Sequence, residues 1–136
     1  MRILIMGLPG SGKTTLAKTL SDKISARWIN ADDIRQQHSD WDFSRKGRIR
    51  QATRMRKLAD QSSQQYVICD FVAPLQEMRD IFAADFTIWV DTIEKSHYAD
   101  TNKMFEPPTK FNIRVTTQNA EVWADVIEKI LDTINI

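Results

Sequence analysis

Residues 7–14 have the types and the spacing of a loop that binds phosphate groups. They read GLPGSGKT and fit the pattern G-x-x-x-x-G-K-[ST] at every fixed position. In such a loop the backbone N–H groups turn inward toward phosphate oxygens, the lysine reaches the β- and γ-phosphates, and the threonine hydroxyl ligates Mg²⁺. We therefore predict that the chain binds a nucleoside triphosphate and Mg²⁺, with Lys13 as a catalytic cation and Thr14 as a metal ligand. The expected nucleotide contacts are Gly7, Pro9, Gly10, Ser11, Gly12, Lys13, Thr14 and Thr15.

The context of the loop separates it from a ligand-free glycine-rich turn. The apolar run Ile3–Met6 precedes it, as expected of a buried parallel strand, and a helix-like stretch follows from Lys13 to about Ser25. The positive end of that helix would add to the attraction for phosphate.

Two carboxylates and an arginine follow the next apolar segment. The run Asn30-Ala31-Asp32-Asp33-Ile34-Arg35 begins where a predicted strand ends. A carboxylate there can orient or deprotonate an attacking hydroxyl, and an arginine can bind an anionic substrate. We predict that Asp32 and Arg35 are catalytic and that both, with Asp33, bind the second substrate. Capping of the following helix by Asp32 or Asp33 is an alternative that is compatible with these roles.

Asp70 closes the apolar run Tyr66–Cys69. A strand that ends in aspartate often supplies a carboxylate to the Mg²⁺ shell, usually through water. We predict that Asp70 is a metal ligand beside Thr14. A surface aspartate that only closes a strand gives the same pattern.

A one-signed charge run lies between residues 45 and 57. It holds seven basic side chains and no acidic one: Arg45, Lys46, Arg48, Arg50, Arg54, Arg56 and Lys57. Such a run is often a solvated helix face, but its charge also favours an anionic second substrate. Lys46, Arg50 and Arg54 share a face where like charges repel by ~0.2–0.5 kcal/mol per pair, which a bound anion would relieve. Phe43, just before the run, suits stacking on a base.

The elements that must position these residues alternate along the chain. We expect strands at Arg2–Met6, Arg27–Asn30, Tyr66–Asp70, Phe86–Val90 and Asn112–Thr116. We expect helices at Lys13–Ser25, Ala31–Gln37, Ser44–Gln64, Pro74–Ala83 and Ala120–Ile134. The alternation predicts an α/β fold with a doubly wound, five-stranded parallel sheet flanked by helices. Ligands of such folds lie outside the carboxyl ends of the strands.

Composition bounds the class of protein. A chain of 136 residues, 42% of them hydrophobic, is expected to form a single domain over residues 1–136. The formal net charge of +1 gives no global field toward nucleic acid or a membrane surface. The single cysteine, Cys69, excludes an internal disulfide. With no apolar run long enough for a membrane span and no signal peptide evident, we expect a cytoplasmic protein.

The order of these motifs resembles the adenylylsulfate kinases. The shared elements are the Gly-x-x-Gly-Ser-Gly-Lys-Thr-Thr run, an x-Asp-x-Ile-Arg element, Phe-Ser, a basic helix, and Phe-Val-x-Pro with an arginine five residues on, over roughly residues 2–94. The resemblance implies a P-loop kinase that moves the γ-phosphoryl group of ATP-Mg to the 3′-hydroxyl of adenosine 5′-phosphosulfate (APS). It also implies that Asp32 contacts the acceptor hydroxyl and that the family's homodimer is retained. The other implied acceptor contacts are Arg35, Phe43, Arg45, Arg50 and Val72.

The chain departs from the family pattern at defined positions. The family's Asp-Gly-Asp-Asn is here Asn30-Ala31-Asp32-Asp33, the asparagine of the basic helix is Arg48, and the serine of the Ile-Ser-Pro turn is Ala73. The lid, at about residues 92–110, is short and carries few basic residues, with Ala99 at its arginine position. Because a lid excludes water and supplies charge to the transition state, the acceptor is the least constrained part of the prediction.

Two other functions fit the same residues. A kinase of polynucleotide 5′-ends or of a modified nucleoside would share Asp-Asp-x-Arg after the second strand and use the basic helix to bind a nucleic-acid backbone. A non-catalytic ATP-binding protein would keep the loop without phosphoryl transfer. A regulatory GTPase is excluded because no Asn-Lys-x-Asp element follows the fourth strand.

Overall fold

A computed structural model describes residues 1–134 and contains one parallel sheet with five strands. In chain order the strands are β1 (Arg2–Met6), β2 (Arg27–Asn30), β3 (Val67–Asp70), β4 (Phe86–Val90) and β5 (Ile113–Val115). Their spatial order is β2-β3-β1-β4-β5, and each neighbouring pair is parallel. The strand that leads into the glycine-rich loop is therefore central. The predicted five-stranded α/β fold is confirmed.

Helices cover both faces of the sheet. They are α1 (Lys13–Ile24), α2 (Ala31–His38), α3 (Arg45–Asp60), α4 (Gln76–Phe82), α5 (Ala99–Met104) and α6 (Ala120–Ile134). None of the helices within residues 1–134 is long and apolar enough to cross a membrane.

The alternating side chains of β1 divide the interior into two cores. Leu4 and Met6 pack with α3 and α4, while Ile3 and Ile5 pack with α1 and α6. Alternation follows from the pleat of a strand, which sends successive side chains to opposite faces. The apolar residues of α6 recur at three- and four-residue spacing, so its buried side faces α1, as the sequence pattern predicts.

Several element boundaries differ from the prediction. Helix α4 begins at Gln76, so the prediction that Pro74 occupies its first turn is wrong. Ala73 has a φ of 47°, and the carbonyls of Ala73 and Pro74 accept hydrogen bonds from the Arg79 guanidinium instead of continuing a helix. Helix α3 ends at Asp60, earlier than expected. Helix α5, within the predicted lid, has no counterpart in the sequence prediction.

Candidate active site

The glycine-rich loop is held in a shape that only small residues allow. A Cβ atom at Gly7 would lie 2.3 Å from the Val90 carbonyl oxygen. Gly12, with a φ of 105°, precedes α1, and no side chain caps that helix. The N–H groups of its first turn therefore have no side-chain acceptor, and a helix terminus of this kind attracts anions.

Lys13 lies inside this loop, with only 9% of its surface exposed. Its Nζ donates a hydrogen bond to the Leu8 carbonyl at 3.1 Å. Burial lowers the pKa of Lys13, while the negative charges of Asp70 and Asp32 act in the opposite direction. The fold thus brings together a lysine from the loop, a carboxylate from the end of β3 and a carboxylate from the start of α2.

Ser11 indicates that the loop is built around a ligand. Among the buried side-chain polar atoms of residues 1–134, its Oγ is the one without a hydrogen-bond partner. A buried hydroxyl in that state costs about 1–3 kcal/mol, so such atoms usually meet a ligand or a water. Thr14 and Thr15 are exposed at the start of α1. Together these donors fit a polyphosphate.

Asp70 is 3% exposed and is held by two neighbours. Its Oδ2 accepts hydrogen bonds from Trp28 Nε1 at 2.8 Å and from Asn30 Nδ2 at 3.0 Å. Burial raises the pKa of Asp70, and these two hydrogen bonds and the charge of Lys13 oppose that rise. In the described part of the chain, Oδ1 accepts no hydrogen bond.

The residues present fit a Mg²⁺ ion that phosphate oxygens and water help to hold. Residues 1–134 contain no group of three or more His, Cys, Asp or Glu side chains placed to bind a metal ion. Mg²⁺ commonly takes one or two protein oxygens and completes its shell with water and substrate phosphates. The exposed Thr14 hydroxyl and the second oxygen of Asp70 are the donors of that kind near Lys13.

The start of α2 presents two exposed carboxylates. Asp32 and Asp33 occupy its first turn, but the cap is Asn30, whose side chain accepts a hydrogen bond from the Asp33 N–H at 3.1 Å. Because Asn30 satisfies the helix end, the Asp32 side chain is not needed as a cap. The carboxylate is exposed, and its negative charge acts on the pKa of Lys13.

Arg35, in α2, and Phe43, in the segment that follows α2, form a cation–π pair. The Arg35 guanidinium carbon lies 4.3 Å from the centre of the Phe43 ring. Arg35 also donates hydrogen bonds to the carbonyls of Asp40 and Asp42, which fold the intervening loop back onto α2. Phe43 remains 47% exposed. An exposed aromatic ring backed by a guanidinium is a suitable surface for stacking a base.

The basic run forms α3, and much of its charge is neutralised within the chain. Arg50 pairs with Asp40 at 2.8 Å and with Asp42 at 3.2 Å, and Arg54 pairs with Asp40 at 3.1 Å. Hydrogen bonds from Arg50, from the Asp42 backbone N–H and from Arg54 hold the pKa of Asp40 well below its usual range. The expected repulsion on this face is thus relieved by aspartates of the preceding loop rather than by a bound anion.

Arg45 and Val72, two of the predicted acceptor contacts, differ in how they lie relative to the glycine-rich loop. Arg45 is exposed and pairs with Glu77 at 2.7 Å. Val72 is half-buried, and its carbonyl oxygen lies 3.4 Å from the Gly7 nitrogen, beside the loop. Arg45 and Arg50 are paired with acidic side chains of this chain. Their contacts with a substrate remain a prediction.

The predicted lid is anchored by buried arginines. Arg48 donates from Nη2 to the Thr101 hydroxyl at 2.8 Å and from Nε to the Phe43 carbonyl at 2.9 Å. Arg79 donates to the Glu106 carbonyl, and burial lowers its pKa to about 10. Helix α5 and the residues after it are therefore fastened to α3 and α4.

The sequence did not predict the roles of Thr92 and Gln118, which donate hydrogen bonds to carbonyl groups of the glycine-rich loop. The Thr92 hydroxyl donates to the Ser11 carbonyl at 2.6 Å. Gln118 Nε2 donates to Thr92 Oγ1 at 3.2 Å and to the Gly10 carbonyl at 3.4 Å. Both residues follow carboxyl ends of strands, β4 and β5, so applying the strand-end rule to every strand would have found them.

A small cavity lies beside Gln118. Its volume is about 100 Å³. It runs along the glycine-rich loop and the start of α6, and its lining includes Gly12, Thr15, Thr117, Asn119 and Trp123.

Comparison with known proteins identifies a family and a fold. The model of the family described as "Adenylylsulphate kinase" matches residues 1–94. No curated protein matches the chain. The structure is similar to that of an APS kinase from Mycobacterium tuberculosis in complex with AMPPNP and APS, at 19% identity over 96% of each chain and a TM-score of 0.83.

Two further solved structures are similar to this chain. A shikimate kinase from Aquifex aeolicus has 19% identity and a TM-score of 0.71, over 99% of this chain and 98% of that one. A hexameric APS kinase from Thiobacillus denitrificans has 23% identity and a TM-score of 0.75, over 97% of this chain and 28% of that one. At these identities the structures show a shared P-loop kinase fold.

Proposed function

This chain belongs to the adenylylsulfate kinase family of ATP-dependent phosphotransferases, and we propose that it transfers the γ-phosphoryl group of ATP to the 3′-hydroxyl of APS. The observation that carries the proposal is the buried Lys13 of the loop, which donates a hydrogen bond to the Leu8 carbonyl and whose pKa is influenced by the negative charges of Asp70 and Asp32. Phosphoryl transfer to a hydroxyl needs a cation at the γ-phosphate, a metal-directed carboxylate and an acceptor-directed carboxylate.

In the proposed reaction the loop and the first turn of α1 bind the phosphates, and Lys13 neutralises charge on the β- and γ-phosphates. The Thr14 hydroxyl and Asp70 would hold Mg²⁺, which supplies charge neutralisation to the same phosphates when bound. The donor side thereby favours departure of ADP.

On the acceptor side, Asp32 accepts the proton of the 3′-hydroxyl while the oxygen of that hydroxyl forms the bond to the γ-phosphorus. The bond from that phosphorus to the bridging oxygen of ADP breaks in the same displacement. Arg35 and Phe43 offer a guanidinium and an exposed ring for the acceptor. The remaining proposed acceptor contacts are Asp33, Arg45, Arg50 and Val72.

A coupled ADP-release assay with ATP-Mg and APS tests this assignment. We expect acceptor-dependent turnover, a loss of roughly 10²–10³ in kcat for Lys13→Ala, and a loss of roughly 10²–10⁴ for Asp32→Asn with ATP binding retained. Asp33→Asn is the control for the proton step: as a proposed acceptor contact it should raise the KM for APS, but kcat should stay close to the wild-type value because its carboxylate is not assigned the proton. Wild-type turnover by Asp32→Asn would refute the role given to Asp32.

The same assay separates the acceptors. Turnover with single-stranded DNA ends or nucleosides but not with APS would replace the acceptor and keep the kinase. ATP binding without turnover on any acceptor would leave a binding protein. The internal neutralisation of α3 supports a small acceptor over nucleic acid, because arginines engaged by Asp40 and Asp42 attract a phosphate backbone less strongly.

We also infer a cytoplasmic location, which the buried lone thiol of Cys69 supports. The assembly is proposed to be the homodimer that the family resemblance implies. Light scattering of the purified chain, with and without ATP, measures the assembly directly.

A further inference from the structure

Asn30 and Asp70 lie opposite each other where β2 and β3 end. They are register partners in the parallel pair, and Asn30 Nδ2 donates to Asp70 Oδ2 at 3.0 Å. The family pattern has aspartate at position 30, whereas this chain has the amide there and a carboxylate one strand away. The two side chains touch, so the negative charge stands about one hydrogen-bond length from where the pattern places it.

Trp28 determines which of the two strands can hold that charge. Its indole N–H donates to the same Oδ2 of Asp70 that Asn30 contacts. Trp28 and Asn30 are two residues apart on β2 and share a face of the sheet. Two donors therefore converge on one oxygen.

Only an acceptor at position 70 satisfies both donors. If residue 30 were the carboxylate and residue 70 the amide, one atom of residue 70 would have to accept from Trp28 and donate to residue 30. No single amide atom does both. The tryptophan therefore favours the carboxylate on β3.

We propose that Asp70 supplies, from β3, the charge that the family pattern places at position 30, and that Trp28 and Asn30 are positioning residues that fix this carboxylate beside Lys13. The two donors occupy Oδ2 and leave Oδ1 for the metal-bound nucleotide. The inference rests on the ATP site of the proposed function and is independent of the identity of the acceptor.

Asp70→Asn is the first test, because the amide oxygen can accept both hydrogen bonds and only the charge is removed. We measure ATP affinity by calorimetry with Mg²⁺ and with EDTA. The wild type should bind ATP more tightly with Mg²⁺. Asp70→Asn should lose roughly 10–100-fold of affinity in Mg²⁺ and lose none in EDTA. Trp28→Phe should lose less, and thermal unfolding checks that each variant is folded.

Relocation of the charge is the second test. The variant Trp28→Phe/Asn30→Asp/Asp70→Asn carries the carboxylate on β2 and lacks the competing indole donor. It should recover most of the Mg²⁺-dependent affinity that its control, Trp28→Phe/Asp70→Asn, has lost. The same exchange with Trp28 retained should recover less.

The outcomes separate this inference from the proposed function. Wild-type Mg²⁺ dependence in Asp70→Asn, or no recovery in the relocated variant, overturns the inference while ATP binding still supports the kinase site. A wild-type chain that binds no ATP overturns both. A wild type that binds ATP and does not turn over APS removes only the proposed acceptor.

Discussion

The phosphate loop and the basic helix α3 are both positively biased regions, but they present their charge differently. In the loop, no side chain caps α1, the Ser11 hydroxyl has no hydrogen-bond partner within residues 1–134, and the buried Lys13 donates to a backbone carbonyl. On α3, Arg50 and Arg54 already hold Asp40.

The difference shows why the number of charged residues in a segment of sequence is a poor guide to the presence of a binding surface. The seven basic side chains between residues 45 and 57 predict an anion site. In the structure, however, aspartates of the loop before the helix neutralise part of that positive charge. The loop carries a single lysine, but it also presents backbone N–H groups at a helix terminus that no side chain caps, and these attract anions.

The largest expected contrast comes from adding one methyl group to each region. In Gly7→Ala the Cβ would meet the Val90 carbonyl oxygen at 2.3 Å, so the loop must shift, and we expect ATP affinity to fall by roughly 100-fold or more because misplaced binding groups lose their contacts. In Gly47→Ala the Cβ would meet the Asp42 carbonyl oxygen at 2.1 Å, which displaces the Phe43 loop. That variant should keep ATP binding and raise the KM of the acceptor. Equal loss of ATP affinity in both variants would contradict the separation of the two regions.

Release of the lid from α3 is the next effect in size. Arg48→Met removes the hydrogen bonds to Thr101 and Phe43, each worth ~1.5–3 kcal/mol for a charged donor. We expect chymotryptic cleavage near Tyr98 and Phe105 to accelerate by roughly 10-fold. Lys46→Met, an exposed position on the same helix, is the control and should be cleaved at the wild-type rate.

A smaller effect, on the KM for ATP, is expected from the contact of Thr92 with the glycine-rich loop. Thr92→Val removes the hydrogen bond to the Ser11 carbonyl, worth ~0.5–1.5 kcal/mol, and should raise the KM for ATP several-fold with little change in kcat. Thr92→Ser keeps the hydroxyl and should restore the wild-type KM. A changed acceptor KM with an unchanged ATP KM would place Thr92 on the other side of the site.

The smallest effect is expected on the pH dependence of folding stability, through the contacts of Asp40 with arginines of α3. The folded-state pKa of Asp40 is depressed by Arg50 and Arg54, so its contribution to stability is complete above an unfolded-state pKa of ~3.9 and is lost as the pH falls further. Asp40→Asn should therefore be less stable at pH 7 and should lose less stability between about pH 4 and pH 2. Urea unfolding at several pH values measures both. Parallel stability curves for the two proteins would show that the pairing contributes nothing.

Local patterns made the fold and the positions of the loop, Asp32 and Asp70 at the ends of strands predictable. Loop spacing, the apolar run of β1 and the placement of Asp32 and Asp70 after strands depend on neighbours in sequence or on a general rule for parallel sheets. These features led to the fold, which the structure confirms, and to the cluster around Lys13.

Contacts between distant segments were not predictable in the same way. Helix α5 is only six residues long and has no apolar periodicity, and it is fixed by an arginine 53 positions away from Thr101. The pairing of Arg54 with Asp40 depends on a loop conformation set by Arg35. No spacing rule encodes such partners, because the backbone path between them must first be known.

The central position of β1 has a consequence for local opening. Its residues pair with β3 on one side and β4 on the other, and its side chains belong to both cores. Amide protons of such a strand exchange with solvent only when the whole domain unfolds. The amides of Leu4 and Ile5 should thus be among the slowest to take up deuterium. The glycine-rich loop is therefore joined to the strand that is expected to unfold last.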